Sequence, residues 1–204
     1  MIDMRLSEHI NRLFDMVIED YHIRNDVNCE YVNPFDDRTF DHLLYHKNRI
    51  DTVQWHLEDI IRNPSIDPVE ALAIKRRIDA LNQERTDMVE YIDAYFLDKY
   101  SNVIVRPDAV INTETPAWAI DRLSILALKI YHMRVETNRE DVDEAHRATC
   151  IERLNTLLTQ REDLSDAIER LLEDIAAGRK YIKLYKQMKM YNDPSLNPIL
   201  YSKK

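Results

Sequence analysis

Residues 113–136 read TETPAWAIDRLSILALKIYHMRVE. Thr115 can accept a hydrogen bond from the exposed N–H groups of a first helical turn, and Pro116 suits the first helical position, where its missing N–H costs nothing. Behind this start, Leu123, Leu126 and Ile130 recur at the three-and-four spacing of a buried helical stripe, which predicts a helix over 116–137. The same helix carries Arg122, Lys129, His132 and Glu136 within an arc of roughly 80°, at about 100° per residue. A core helix with a polar face along its length raises the question of what that face meets.

The flanking sequence extends the pattern in both directions. Leu6, Ile10, Leu13, Val17 and Tyr21 predict a first helix over 5–24, and Phe40, Leu43, Ile50, Leu57 and Ile61 a second over about 37–62. Asp67, Pro68 and Glu70 form a start signal of the capping-box type for a third helix over about 68–99. Its seam of Ile74, Ile78, Leu81, Met88, Ile92 and Tyr95 is interrupted by Arg85. A fifth helix over about 141–177 carries Leu154, Leu157, Leu164, Ile168 and Leu171, and Arg161 interrupts that stripe in turn. Gly178 ends it, and a short basic, aromatic helix is predicted over KYIKLYKQMKMY, stopped by Asn192, Asp193 and Pro194.

Composition agrees with an all-α protein. The chain has 204 residues, 45% of them hydrophobic and 32% charged, which suits a packed core, and Gly178 is the sole glycine. Glycine scarcity removes most hairpin turns and excludes glycine-rich phosphate loops, dinucleotide fingerprints and the Gly-x-Ser-x-Gly elbow. No apolar run approaches the roughly 18 residues of a membrane span, and no secretory leader pattern opens the chain, so a cytoplasmic protein is the expectation. Cys29 and Cys150 are too isolated for a zinc knuckle or a disulfide framework. The formal charge is −9, but residues 179–204 hold seven bases against one acid, Asp193, so the tail is basic and the remainder strongly acidic. That balance argues against a general nucleic-acid binder.

An internal repeat is legible. A shift of 76 superposes Arg77 on Arg153, Leu81 on Leu157, Arg85 on Arg161, Asp87 on Asp163 and Ile92 on Ile168. A shift of 73 superposes Arg49 on Arg122, Ile50 on Leu123, Val53 on Leu126 and Leu57 on Ile130. The expected architecture is therefore one antiparallel helical bundle over 1–204: two pseudo-two-fold-related hairpins (about 37–99 and 116–177), an N-terminal helix, and a basic aromatic tail with a short C-terminal helix.

Two readings of the polar residues follow. In one, Arg49, Arg85, Arg122, Lys129 and Arg161 converge on an anion, with Asp59 and Glu136 beside them and His132 and His56 as acid or base. In the other, Arg85 and Arg161 are satisfied internally by Glu58, Asp59, Asp87, Asp163 or Glu136, because a buried charge is costly unless paired. No metal set is assigned and no cofactor is identified. His42 with His46, His146 with Cys150, Glu84 with Asp87 and Glu90 with Asp93 have one-turn spacing, which leaves magnesium as an option for the carboxylates, but solvated helix surface explains each pair. Trp55 makes a mixed patch with Asn48, Asp59 and Arg62 and is read as packing. Tyr181, Tyr185 and Tyr191 are expected to dock the tail onto the bundle.

The strings WHLED (55–59), KRRIDALNQERTDMVEYID (75–93), ETPAWAIDRLSILALKIYHM (114–133) and YKQMKMYNDPSLNP (185–198) together resemble the bacterial domain of unknown function 4254 family over nearly the whole chain. The chain departs from the family's usual Arg-Asn-Asp at Arg85–Asp87 and from a glycine near Ala117. The family has no established catalytic residues to transfer. Its members are often encoded beside glycosyltransferases of cell-envelope polysaccharide assembly, so the resemblance implies a pathway rather than a reaction. Two expectations follow: an accessory protein binding an anionic small molecule or a partner such as a glycosyltransferase, or an enzyme acting on a phosphorylated sugar or nucleotide sugar. A long helix pair is equally able to form a homodimer.

Overall fold

A computed structural model of the chain describes residues 4–187, 190 and 193–202. Its helices are α1 (Leu6–Arg24), α2 (Phe40–Ile61), α3 (Pro68–Lys99), α4 (Pro116–Thr137), α5 (Glu144–Ala176) and α6 (Pro198–Tyr201), with two-residue strands β1 (Val110–Ile111) and β2 (Lys180–Tyr181). The protein is all-α in class. Local chemistry sets the helix starts. The Asp67 carboxylate accepts from the N–H groups of Val69 and Glu70 at 2.9 and 3.1 Å, and Thr115 Oγ1 accepts from Trp118 N–H at 3.4 Å, each followed by proline. Thr39 and Asp143 do the same for α2 and α5. Helix α1 has no side-chain cap of its own; instead the Ser7 N–H donates to Glu169 of α5 at 2.6 Å, so a tertiary contact satisfies the end.

Helix α4 is the centre of the fold. Ala117, Ile120, Leu123, Ala127, Leu128 and Ile130 are fully buried, and α1, α2, α3 and α5 all pack against it. Helix α1 adds Ile10, Phe14, Val17 and Ile18 to this core, α3 adds Ile92 and Phe96, and α5 adds Ile168 and Leu172. Hairpins α2–α3 and α4–α5 form as the pattern predicts, but their placement is unequal. Helix α3 packs on α4, whereas α5 packs on α4 and α1 and, among the described residues, on neither α2 nor α3. The missing contact breaks exact two-fold symmetry and leaves a groove over α4, walled by α2–α3 on one side and α5 on the other.

The helix predicted over 180–191 does not form over its described part, 180–187. Gly178, at φ +68°, closes α5 with two back-bonds, Gly178 N–H to Ile175 O at 2.9 Å and Arg179 N–H to Asp174 O at 2.8 Å, and turns the chain onto the 101–115 loop. There the carbonyls of Gly178, Arg179 and Tyr181 accept from the N–H groups of Arg106, Val110 and Asn112, pairing β2 in parallel with β1. Loop N–H groups that need partners thus claim the backbone that a helix would have used. Ile182 joins the core and Tyr181 is half-buried, but Tyr185 is 69% exposed; farther along, the Gln187 N–H donates to Glu90 of α3 at 3.3 Å. Met188, Lys189, Tyr191 and Asn192 lie outside the described residues.

A Cβ at position 178 would lie 2.3 Å from the Ile104 carbonyl oxygen, and the left-handed backbone would strain any L side chain. Gly178→Ala is expected to lower unfolding free energy by about 2 kcal/mol in urea denaturation. An unchanged midpoint would show that the turn is not held as described.

Candidate functional site

Beneath the groove floor lies a buried polar network. Lys47, Asp51 and Ser124 have fully or almost fully buried side chains, and Asp121 is 3% exposed. Lys47 Nζ pairs with Asp51 and, at 2.9 Å, with Asp121 Oδ1. Arg85 reaches in from α3 and grips Asp121 in bidentate fashion, Nε to Oδ1 at 2.8 Å and a terminal nitrogen to Oδ2 at 2.6 Å. Ser124 donates to Asp51 at 2.5 Å and accepts from Asn48 at 2.8 Å. Two cations and two carboxylates thus balance inside the protein, as buried charges require. Burial pushes the Asp51 carboxyl up. Burial acts the same way on Asp121, but Lys47 and Arg85 together hold it below the ordinary carboxylate range.

The groove above has three contiguous hollows. One of about 550 Å³ is lined by Trp55 and Asp59 of α2, Lys129, His132, Met133 and Glu136 of α4, and Arg153, Thr156 and Leu157 of α5. One of about 580 Å³ shares Lys129 with it and runs past Arg122, Ile125 and Arg85 to Gln160 and Asp163. The third, about 350 Å³, joins them through Trp55, Asp59, Arg85 and Ile125. Most groove cations are spoken for: Arg62 pairs with Glu58, Arg85 with Asp121, and Arg122 with Glu114 at 2.6 Å. Lys129 and Arg153, both exposed, have no acidic partner among the described residues. Glu136 accepts from Arg139 at 3.0 Å and meets His146 Nε2 at 3.3 Å; the Arg139 hydrogen bond, ahead of that from His146, holds its carboxyl low.

At the back of the first hollow stand three histidines from three helices. His22 of α1, His56 of α2 and His132 of α4 have ring centroids 5.1, 5.3 and 5.5 Å apart, an almost equilateral triangle. Aromatic faces enclose them: Tyr21 stacks on His56, Trp55 on His132, and Tyr131 lies over His22 at 4.2 Å. His22 Nδ1 meets the Ile18 carbonyl oxygen at 2.7 Å, while Nε2 of His56 and Nε2 of His132 are buried without a hydrogen-bond partner. Burial lowers the pKa of all three, that of His56 to about 4, so the rings are neutral at pH 7.

The arginine cage expected from the repeat is not assembled. Arg85 is engaged by Asp121 and Asp51, partners other than the five acids read from the sequence. Arg161 lies on the opposite side of α5's seam, 3.3 Å from Asp15 of α1. Arg49 is 5% exposed between α1 and α2, its guanidinium over the rings of Tyr21 and Tyr31. The placement of α1 is the cause: it meets α2 and α5 where symmetry would have placed a second wall of the groove. Asp59, Lys129, His132 and Glu136 do come together in one hollow, and His56 touches His132 from behind. Asp93, read as solvated surface, is buried and accepts from Ala117 N–H at 3.1 Å at the start of α4. Sequence reasoning missed Lys47, Asp51, Arg153 and His22; Tyr-His recurs at 21–22, 45–46 and 131–132, so that dipeptide alone does not single out His22.

The model of a family described as protein of unknown function (DUF4254) matches residues 41–184. The chain belongs to the DUF4254 family. No curated protein and no solved structure matches it. The DUF4254 match contains the whole groove and its buried network, together with His56 and His132; α1 and His22 precede it. No helix of the described residues is long and apolar enough to cross a membrane.

Proposed function

We propose that the α4 groove binds a small anionic ligand, with a phosphorylated sugar as the best-fitting class. The observation that carries this reading is the pair Lys129 and Arg153, two cations without acidic partners on one hollow of a groove whose arginines elsewhere, Arg62, Arg85 and Arg122, are neutralised. An unpaired guanidinium and an ammonium on one hollow suit a phosphate, which can take two parallel hydrogen bonds from the first. Trp55 and Leu157 offer apolar surface to the C–H face of a sugar ring, and the Asp59 carboxylate can accept from its hydroxyls. The association of the family with envelope glycosyltransferases, noted above as background, supports the same ligand class and a role as an accessory protein in polysaccharide assembly. A second reading, an enzyme on that ligand, is favoured by one observation: neutral His132 lines the hollow with a buried, unpartnered Nε2, as a general base would.

Calorimetric titration with a panel of hexose phosphates and nucleotide sugars tests the binding reading. Lys129→Ala and Arg153→Ala are each expected to weaken the best ligand by roughly 10- to 100-fold, the scale of one charge-assisted hydrogen bond. Arg122→Ala, which removes a cation already held by Glu114, is expected to change affinity by less than about threefold. A panel that gives no binding, or three variants that weaken it equally, overturns the reading. Turnover lost in His132→Ala at unchanged thermal stability would establish the enzyme.

A further inference from the structure

We infer that His22, His56 and His132 form a binding site for one divalent transition-metal ion of the zinc class. A ring nitrogen from each lies within 4.8 Å of the other two. A tetrahedral ion bound at about 2.0–2.1 Å would set its nitrogens about 3.4 Å apart, so side-chain rotations moving each nitrogen by an ångström or so complete the set. Three ligands from three helices leave a fourth position, and His132 is the member that also faces the groove.

Two further observations separate this triangle from ordinary packing. Seven side-chain polar atoms are buried without a hydrogen-bond partner among the described residues, and two of them, Nε2 of His56 and of His132, belong to neighbouring rings of this triangle. Structural histidines packed this closely would be expected to bond to one another or to a carboxylate, and these do neither. The third ring is held as metal-binding imidazoles usually are, with one nitrogen on a backbone carbonyl, that of Ile18, and the other free. Burial keeps the rings unprotonated at neutral pH, which a nitrogen ligand must be. Imidazole donors without a carboxylate suit zinc, nickel, copper or cobalt rather than magnesium or calcium.

A second cluster, Glu136, His146 and Cys150, also brings three ligand atoms within 4.8 Å. It is the weaker candidate, because Glu136 Oε2 is already engaged by Arg139.

The inference stands without the groove's ligand, since zinc alone is the probe. The full chain, stripped with chelator, is dialysed against buffered zinc at pH 7.5, and cobalt is added in parallel to report coordination through its visible absorption. We expect one equivalent of zinc and a four-coordinate cobalt spectrum. His22→Gln and His132→Gln, each checked for helix content by circular dichroism, should weaken binding on the order of 100-fold, and His146→Gln should leave it unchanged. Absence of stoichiometric binding to the wild-type chain overturns the site. So does binding that survives both histidine variants and is lost in His146→Gln. Because sugar phosphates are absent, failure here leaves the groove reading intact, and failure of the panel leaves this one intact.

Discussion

Lys47→Met is expected to lower unfolding free energy by about 3–5 kcal/mol, the usual consequence of removing one partner from a buried ion pair. The aliphatic stem is retained, so the loss isolates the charge. With Nζ gone, Asp51 and Asp121 keep Arg85 as their one cation, and both are almost wholly withdrawn from water. Asp51, whose carboxyl burial already pushes up, would take a proton, and its Oδ2 would keep only the Ser124 hydroxyl as a donor. Lys47→Met combined with Asp51→Asn removes one charge of each sign and preserves the shape that meets Ser124, leaving Arg85 with Asp121 as a balanced pair. The double variant should recover at least about half of the loss, which also gives a measurable protein if the single variant fails to fold. Urea denaturation at pH 7 measures both. A single-variant loss below about 1 kcal/mol, or a double variant no better than the single, would mean that water already solvates the network.

This network marks where the sequence stopped being informative. Asp67-Pro68 and Thr115-Pro116 fixed the starts of α3 and α4 because capping and proline chemistry act within one turn. Lys47 and Asp51 sit one turn apart in YHKNRIDT, a spacing that ordinarily marks a solvated helix surface, and only the arrival of α3 and α4 buries them. Periodicity likewise placed Arg85 and Arg161 on inward seams but carried no information on which helix each seam would meet. Arg85 met α4, Arg161 met α1, and the common hollow inferred from their register went to α5 with Lys129 and Arg153 instead. His22 could not be joined to His56 and His132 by spacing, because α1 lies outside the stretches that the shifts of 73 and 76 align. The reading of the tail's start failed for the same reason, the strand at 180–181 being set by unpaired loop N–H groups rather than by its own helical pattern.

The metal-free protein is expected to lose roughly 3 kcal/mol of stability between pH 6.5 and pH 4, with His56 the largest single source. In the unfolded chain its imidazole takes up a proton near pH 6.5, whereas burial, then His22, His132 and Arg49, holds the folded pKa to about 4. Across that window the unfolded state binds more protons, so stability is complete above pH 6.5 and declines as pH falls, by about 1.4 kcal/mol per pH unit per group. His22 and His132, lowered by burial as well, act with the same sign. Asp15, Asp51 and Asp93 act oppositely: burial raises each above 3.8, so the folded state protonates first and stability is gained as pH falls toward 3.8. A difference measurement removes those carboxylates from the comparison. His56→Phe keeps an aromatic ring against Tyr21 and abolishes the proton site, so its stability profile, measured in urea with chelator present, should be flatter than wild type by about 2 kcal/mol between pH 7 and pH 4.5. Parallel profiles would show that the imidazole is already hydrated, and the triangle would then lack the dry, neutral character from which both its acid sensitivity and its affinity for a metal ion are argued.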